Sequence, residues 1–265
     1  MNLGLMHHWH WHTWEGLPYL TCKLLQNWNH GFFTSAFFPR PPDQIVGALQ
    51  HEAQVYRVRQ VHGNTVVTPS EIESPMSQQK PERPGADGIL TEQSYQAVWV
   101  CTADCTPVLI GDDKTGQVAA VHAGWRGTAS RIVPNAIARL LEKGSCLDDL
   151  RIAMGPAIAG EVYQVSEAVA AEVAASVIPS DKADTPESIL NLLQQMADSP
   201  LLEDPQPGRV RLDVRRVNAL QLEQLGIHSE QVAIAPHCTY QQPEYFFSYR
   251  RSQEKKVQWS GIVSF

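Results

Sequence analysis

Between Gln96 and Ala123 the chain reads QAVWVCT, then PVLIGD and QVAAVHA, three apolar runs rich in β-formers. The unbroken apolar character of QAVWVCT predicts a strand buried on both faces, so the fold must cover this sheet from two sides. DDKTG, between the second and third runs, is a turn signal and predicts a hairpin. HAGWRGT then ends a strand and opens a helix. SRIVPNAIARLLEKG predicts a helix with Ile132, Val133, Ile137, Leu140 and Leu141 on one face and Gly144 at its C-terminal cap. DVRRVNALQLEQLG predicts another, with Asp213 as N-cap and Gly226 past its end. Hairpins and helices alternate without a regular βαβ order, which implies an α+β layered fold. No repeat or linker divides the 265 residues, so one domain is expected. Its surface excursions fall near residues 69–86 and 179–210, both rich in proline and polar residues.

Composition narrows the function. Hydrophobic residues make up 43% and charged residues 18%, with a net charge of -7. That balance builds a core and argues against a nucleic-acid polymer as partner, which calls for a basic surface. Five cysteines, Cys22, Cys101, Cys105, Cys146 and Cys238, are odd in number and irregular in spacing. They fit a reducing compartment better than a disulfide framework. No signal peptide is visible, and no apolar stretch approaches the roughly 20 residues of a membrane span. A soluble cytoplasmic protein with no membrane partner is the expectation. The N-terminal MHHWHWHTW reads as an edge strand with packed aromatics, and no chemistry is assigned to His7, His8, His10 or His12.

The hairpin carries the chemistry. Centring its turn on Asp113 and Lys114 sets Cys105 opposite His122. Opposed side chains on one face of an antiparallel pair lie about 4.5–5.5 Å apart at Cβ. That suits two ligands of one metal, or a thiol and its base. A one-residue slip would send the two side chains to different faces. His62, in RQVHGNT, stands beside a glycine at a strand break, where a side chain can leave the sheet direction. One cysteine and two histidines form a zinc set that leaves a fourth position open. Taken singly, a lone cysteine is more often a small core residue, and a lone histidine more often structural. Asp87 and Asp104 are candidates to hold a histidine's second nitrogen or to cap turns, and for Asp87 the turn cap is favoured slightly. Arg126 and the Gly127–Thr128 turn are candidates to hold phosphate. Arg250 and Arg251 follow what reads as an aromatic strand, EYFFSYRR. One could reach a phosphate, a role assigned to Arg250, and the other solvent.

RQVHGNTV, ADGILT, TADCTPVLI, AAVHAGWRGT, GPAIAGEVYQV and HCTY…FFSYRR together resemble, in order, the signature blocks of the laccase-domain or polyphenol oxidase family. That family also goes by purine nucleoside phosphorylase/adenosine deaminase and peptidoglycan editing factor. The blocks run from about residue 55 to 251. The resemblance implies a metal site at His62, Cys105 and His122, with zinc expected and copper less favoured. It implies a four-layer α/β/β/α sandwich with mixed sheets, related to a toxin deamidase fold that uses a Cys–His pair. It also implies phosphorolysis of adenosine, inosine and methylthioadenosine, deamination of adenosine, and an editing role on peptidoglycan precursors. The expected partners are therefore purine nucleosides and phosphate. One departure stands out: the family's Thr-Gly-Arg-Met-like segment is here Ser260, Gly261 and Ile262. Rival readings are a Cys–His hydrolase with Cys105 as nucleophile and His122 as base, a copper phenol oxidase, and a non-catalytic factor with a structural zinc. Oligomeric state is left open.

Overall fold

The computed structural model describes residues 9–73, 83–183 and 185–265. In chain order its strands are β1 (Trp9–Trp14), β2 (Leu17–Cys22), β3 (His30–Phe33), β4 (Gln54–Tyr56), β5 (Val66–Val67), β6 (Gly88–Leu90), β7 (Gln96–Thr102) and β8 (Thr106–Asp112). They continue with β9 (Val118–Ala123), β10 (Leu150–Met154), β11 (Gln164–Ser166), β12 (Leu201–Glu203), β13 (Arg209–Leu212), β14 (Val232–Ile234) and β15 (Gln258–Val263). One sheet has the order β1-β2-β3-β15-β7-β4 and a second the order β14-β10-β8-β9-β6-β5. Both mix parallel with antiparallel pairs.

The period of two along each central strand explains the layering. Leu109, Val118 and Ala120 point into the space between the sheets and meet Leu20, Phe32, Val98, Val100 and Ile262. Val108, Ile110, Ala119 and Val121 point the other way, onto the helix Ile132–Glu142 and part of the helix Val214–Gln224. The first sheet's outer face, with Phe33, Ala97, Trp99 and Val263, is covered by Ile45, Leu49 and Phe37 from short helical turns. The order of layers is thus helix, sheet, sheet, helix. The expected α+β sandwich is the observed one, and QAVWVCT is β7, closed over from both sides. Ile262 is fully buried in the inter-sheet core.

The helix at Ile132–Glu142 buries Ile132, Val133, Ile137 and Leu140, and Gly144 follows at φ +97. Leu141, expected on the same face, is instead exposed at 38%. Asp213 caps the helix Val214–Gln224 by accepting from the N–H groups of Arg215 and Arg216, and Gly226 stands beyond it at φ +90.

Three expectations change. The excursion at 179–210 contains the short helix that its SILNLLQQM stretch predicts, Pro186–Gln194, but also strands β12 and β13, and these join the helix Glu167–Ala174 around a small core of their own. In the 69–86 segment, Pro69–Ile72 forms a helical turn with a Thr68 capping box, and residues 74–82 lie outside the described residues. EYFFSYRR forms no strand and ends instead in the short helix Tyr249–Ser252. The N-terminal tract is an edge strand from Trp9, with Trp9 against Phe32 and Trp14 stacked on Phe37; His7 and His8 fall outside the described residues. No helix among the described residues is long and apolar enough to cross a membrane.

Candidate functional site

The β8–β9 hairpin is set by its turn. Asp112 receives the Lys114 and Thr115 N–H groups on its carboxylate and the Gly116 N–H on its carbonyl. Gly116 adopts φ +72, where a glycine is favoured. The loop is therefore longer than a two-residue turn, and Pro107, not Cys105, stands opposite His122. The ladder ends at Thr106 and Ala123. Cys105 lies one step beyond, beside Gly124, whose missing side chain leaves room for the sulfur: a Cβ there would come within 2.9 Å of Cys105 Sγ. Because the register moves by two, the intended face is kept, and Cys105 reaches His122 diagonally.

His62 arrives from a separate loop with φ +61, a left-handed conformation uncommon for histidine. What holds it there is Asp87. This fully buried carboxylate accepts from the backbone N–H groups of Val61 (3.2 Å), His62 (2.9 Å) and Gly63 (2.7 Å). It also lies 2.8 Å from Nδ1 of His122. The turn-cap reading of Asp87 and the histidine-partner reading both hold at once. Burial works against its charge, but the His122 bond and the Gly63 and His62 N–H groups outweigh burial and hold its pKa below the ordinary carboxylate value.

The three expected metal-binding residues are brought together. One donor atom from each of His62, Cys105 and His122 lies within 4.8 Å of the others. Ligands of a tetrahedral zinc stand roughly 3.3–3.8 Å apart, given metal–ligand bonds of about 2.0–2.3 Å, so a small contraction would seat the ion. Asp87 on Nδ1 leaves Nε2 of His122 free to coordinate, the usual outer-shell arrangement for a ligating histidine. The donor set therefore fits a divalent ion. Burial opposes a thiolate at Cys105, but the charge of His122 and hydrogen bonds from both histidines bring its pKa down to about 6. His122 moves the other way: burial disfavours its charge, yet Cys105 and Asp87 raise it to about 9. Cys101, four residues before Cys105, is pushed up to about 11 by burial. Of these two thiols, Cys105 is the one poised as a ligand.

The triad opens into a cavity of about 450 Å³ whose wall includes Thr102, Asp104, Tyr163, Tyr249 and Arg250. A larger one of about 600 Å³ lies elsewhere, by His10, Lys23 and Trp28, away from the triad. Asp104, at φ +97, accepts from the Thr239 hydroxyl and from the Arg250 N–H, each at 2.7 Å. It joins the hairpin to the C-terminal segment. Arg250 lies on the cavity wall, its guanidinium over the Tyr163 ring at 4.8 Å. Arg251 does not reach solvent as a free cation; it donates to the carbonyls of Thr239, Tyr240 and Phe246. Thr128 is fully buried, and its hydroxyl accepts from Asn218, so it does not face the cavity. Arg126 is exposed and stacks on Trp125 at 4.2 Å; it does not line the cavity, though its charge reaches the Tyr163 phenol. Tyr163 and Tyr249 lie in the signature blocks GPAIAGEVYQV and FFSYRR but carry no assigned role there, and Lys255 and Lys256 lie outside every block, so all four are readable as site residues only once the fold brings them together.

Residues 43–263 match the family model described as "Multi-copper polyphenol oxidoreductase laccase". A Synechocystis sp. protein named "Purine nucleoside phosphorylase slr1573" is 53% identical over 258 residues, 97% of each chain. A protein from an unknown prokaryotic organism, named "Adenosine deaminase RL5", is 29% identical over 63% of this chain and 57% of its own. The crystal structure of YlmD from Geobacillus stearothermophilus superimposes with a TM-score of 0.77 at 21% identity, covering 95% of this chain and 98% of that one.

Proposed function

The chain belongs to the multi-copper polyphenol oxidoreductase laccase family, and on that premise we propose that it is a zinc-dependent purine nucleoside enzyme of the cytoplasm. Its substrates are adenosine, inosine and methylthioadenosine. In phosphorolysis a phosphate oxygen bonds to C1′ as the bond from C1′ to the base breaks, giving the free base and ribose 1-phosphate or its methylthio analogue. In deamination the oxygen of water replaces the amine at C6 of adenosine, releasing ammonia and inosine. The observation that carries the reading is the convergence of three donor atoms within 4.8 Å at the wall of a nucleoside-sized cavity.

His62, Cys105 and His122 hold the ion and are the catalytic residues. When bound, zinc supplies Lewis acidity with one coordination position open. Asp87 keeps the proton on Nδ1 of His122 and so fixes which nitrogen faces the centre. Tyr163, whose phenol is pushed up to about 12 chiefly by burial, stays protonated and can donate to a bound substrate. Arg250 binds phosphate, and Arg126 adds positive charge that reaches Tyr163. All five cysteines are free thiols, as a reducing cytoplasm maintains them.

The test is to incubate zinc-loaded protein with adenosine, with and without phosphate, and to resolve the products. Adenine with ribose 1-phosphate, appearing only with phosphate, and inosine in both samples are expected. No product from the loaded protein rejects the reading. The lowered pKa of Cys105 beside His122 favours a second reading, a metal-free Cys–His hydrolase. Activity lost to a chelator and restored by zinc counts against it. Editing of peptidoglycan precursors is a physiological use the same centre could serve.

A further inference from the structure

The mouth of the cavity has a sign opposite to that of the chain. Acidic residues outnumber basic ones 28 to 21 overall, yet Arg250, Lys255 and Lys256 all line this opening, with Glu254 as the carboxylate of the same segment. Glu254 is taken by Lys256, at 3.1 Å. Asp104, deeper in the wall, has both carboxylate oxygens turned to Thr239 and to the backbone N–H of Arg250. Neither answers the Arg250 side chain or Lys255, and neither of these cations has a carboxylate partner among the described residues.

Arg250 is also held in place. One guanidinium nitrogen donates to the Gln164 carbonyl at 2.8 Å, and the plane rests on Tyr163. A guanidinium fixed on one edge keeps its other N–H groups as a fork for an oxyanion. The exposed Lys255 adds a mobile charge from the opposite end of the same segment. Thr102, 2% exposed and on the same cavity wall, has a hydroxyl without a partner among the described residues.

We infer that Arg250 and Lys255 form a phosphate-binding subsite at the mouth of the metal cavity, with Lys256, paired to Glu254, at its edge. It rests on the purine nucleoside reading and places the anion at the C-terminal segment, not at the buried Thr128. The phosphate can come free in solution or as the 5′-phosphate of a purine nucleotide, which would make nucleoside monophosphates a further ligand class. The electrostatic attraction of like-signed side chains at a cavity mouth serves both.

Calorimetric titration of the zinc-loaded protein with inorganic phosphate, adenosine 5′-monophosphate and adenosine separates the cases. Arg250→Gln and the double variant Lys255→Glu/Lys256→Glu are compared with wild type, and Lys23→Glu, on the distant cavity, is the control. The expected result is at least a tenfold loss of phosphate or monophosphate affinity in both cavity variants, with adenosine affinity within twofold and the control unchanged. Loss for free phosphate identifies it as the ligand; loss for the monophosphate alone identifies the nucleotide. Wild-type protein that binds neither anion, or variants that bind both as wild type does, overturns the subsite. The lysines are on the surface, so the double variant retains its fold, and its melting temperature checks this. Intact anion binding without nucleoside turnover would count against the proposed reactions and leave the subsite standing.

Discussion

One oxygen of Asp87 serves both histidines of the centre: Oδ1 lies 2.8 Å from the ring Nδ1 of His122 and accepts from the backbone N–H of His62 at 2.9 Å. The carboxylate sets the ring orientation of the first and the loop conformation of the second. Asp87→Asn keeps the size but places an amide among four donors, so at least one meets NH₂. Zinc affinity should fall about 10–100-fold, as for other outer-shell partners of metal-binding histidines. Competition with a chromophoric chelator measures it, and unchanged affinity would remove Asp87 from the centre.

The two histidines should separate metal binding from stability. His62 is exposed and His122 is buried. His62→Ala should lose zinc while the metal-free protein keeps its stability. His122→Ala should lose zinc and also destabilise the metal-free fold by about 1–3 kcal/mol, because a buried acceptor loses a partner. Metal analysis and urea unfolding in chelator read the two effects.

Metal-free protein should show an unusual pH response. Cys105 is depressed from 9.0 to about 6, so its contribution to stability grows as pH rises between those values and is lost as pH falls through 6. His122 is raised from 6.5 to about 9, so its contribution is complete below 6.5 and is lost as pH rises toward 9. The opposed slopes cancel from about 6.5 to 9, because folded and unfolded pairs each hold one proton, on imidazole and on sulfur respectively. Unfolding free energy from this pair should be flat across that window. Alkylation of Cys105 should reach half its maximal rate near pH 6, and zinc should suppress it. An alkylation midpoint near 9 would refute the assignment.

Gly124 should tolerate no side chain. A methyl group there meets Cys105 Sγ at 2.9 Å and His62 Cδ2 at 3.4 Å. Gly124→Ala should displace both ligands, cut zinc content and turnover at least tenfold, and lower stability by about 1–3 kcal/mol. Metal analysis, turnover assay and thermal unfolding report the three effects.

His62, Cys105 and His122 are singled out in the sequence by a histidine beside a glycine and by a cysteine and a histidine flanking one turn, a weak signal alone that the family resemblance reinforces. Their register was not legible. Asp112 and Gly116 make a longer loop than DDKTG suggests by composition, and the pairing moved by two residues. The layered fold followed from the apolar continuity of β7. Of the cavity mouth, Arg250 alone is assigned a role from the sequence, since Tyr163 and Lys255 meet the hairpin only through tertiary packing. Leu141 shows the same limit at one position: helical spacing puts it near the apolar face, yet it stays outside the core and 38% exposed.

Strand β15, close to the C-terminal end of the chain, lies between β3 and β7 and bonds to both. During synthesis that slot stays open until Gln258–Val263 leave the ribosome exit tunnel, with β3 and β7 each presenting an unsatisfied edge. All three metal donors are translated long before. Pairing of Gln258–Val263 with both neighbours therefore completes the six-stranded sheet, and losing that segment would leave two unpaired edges open to strand-mediated association.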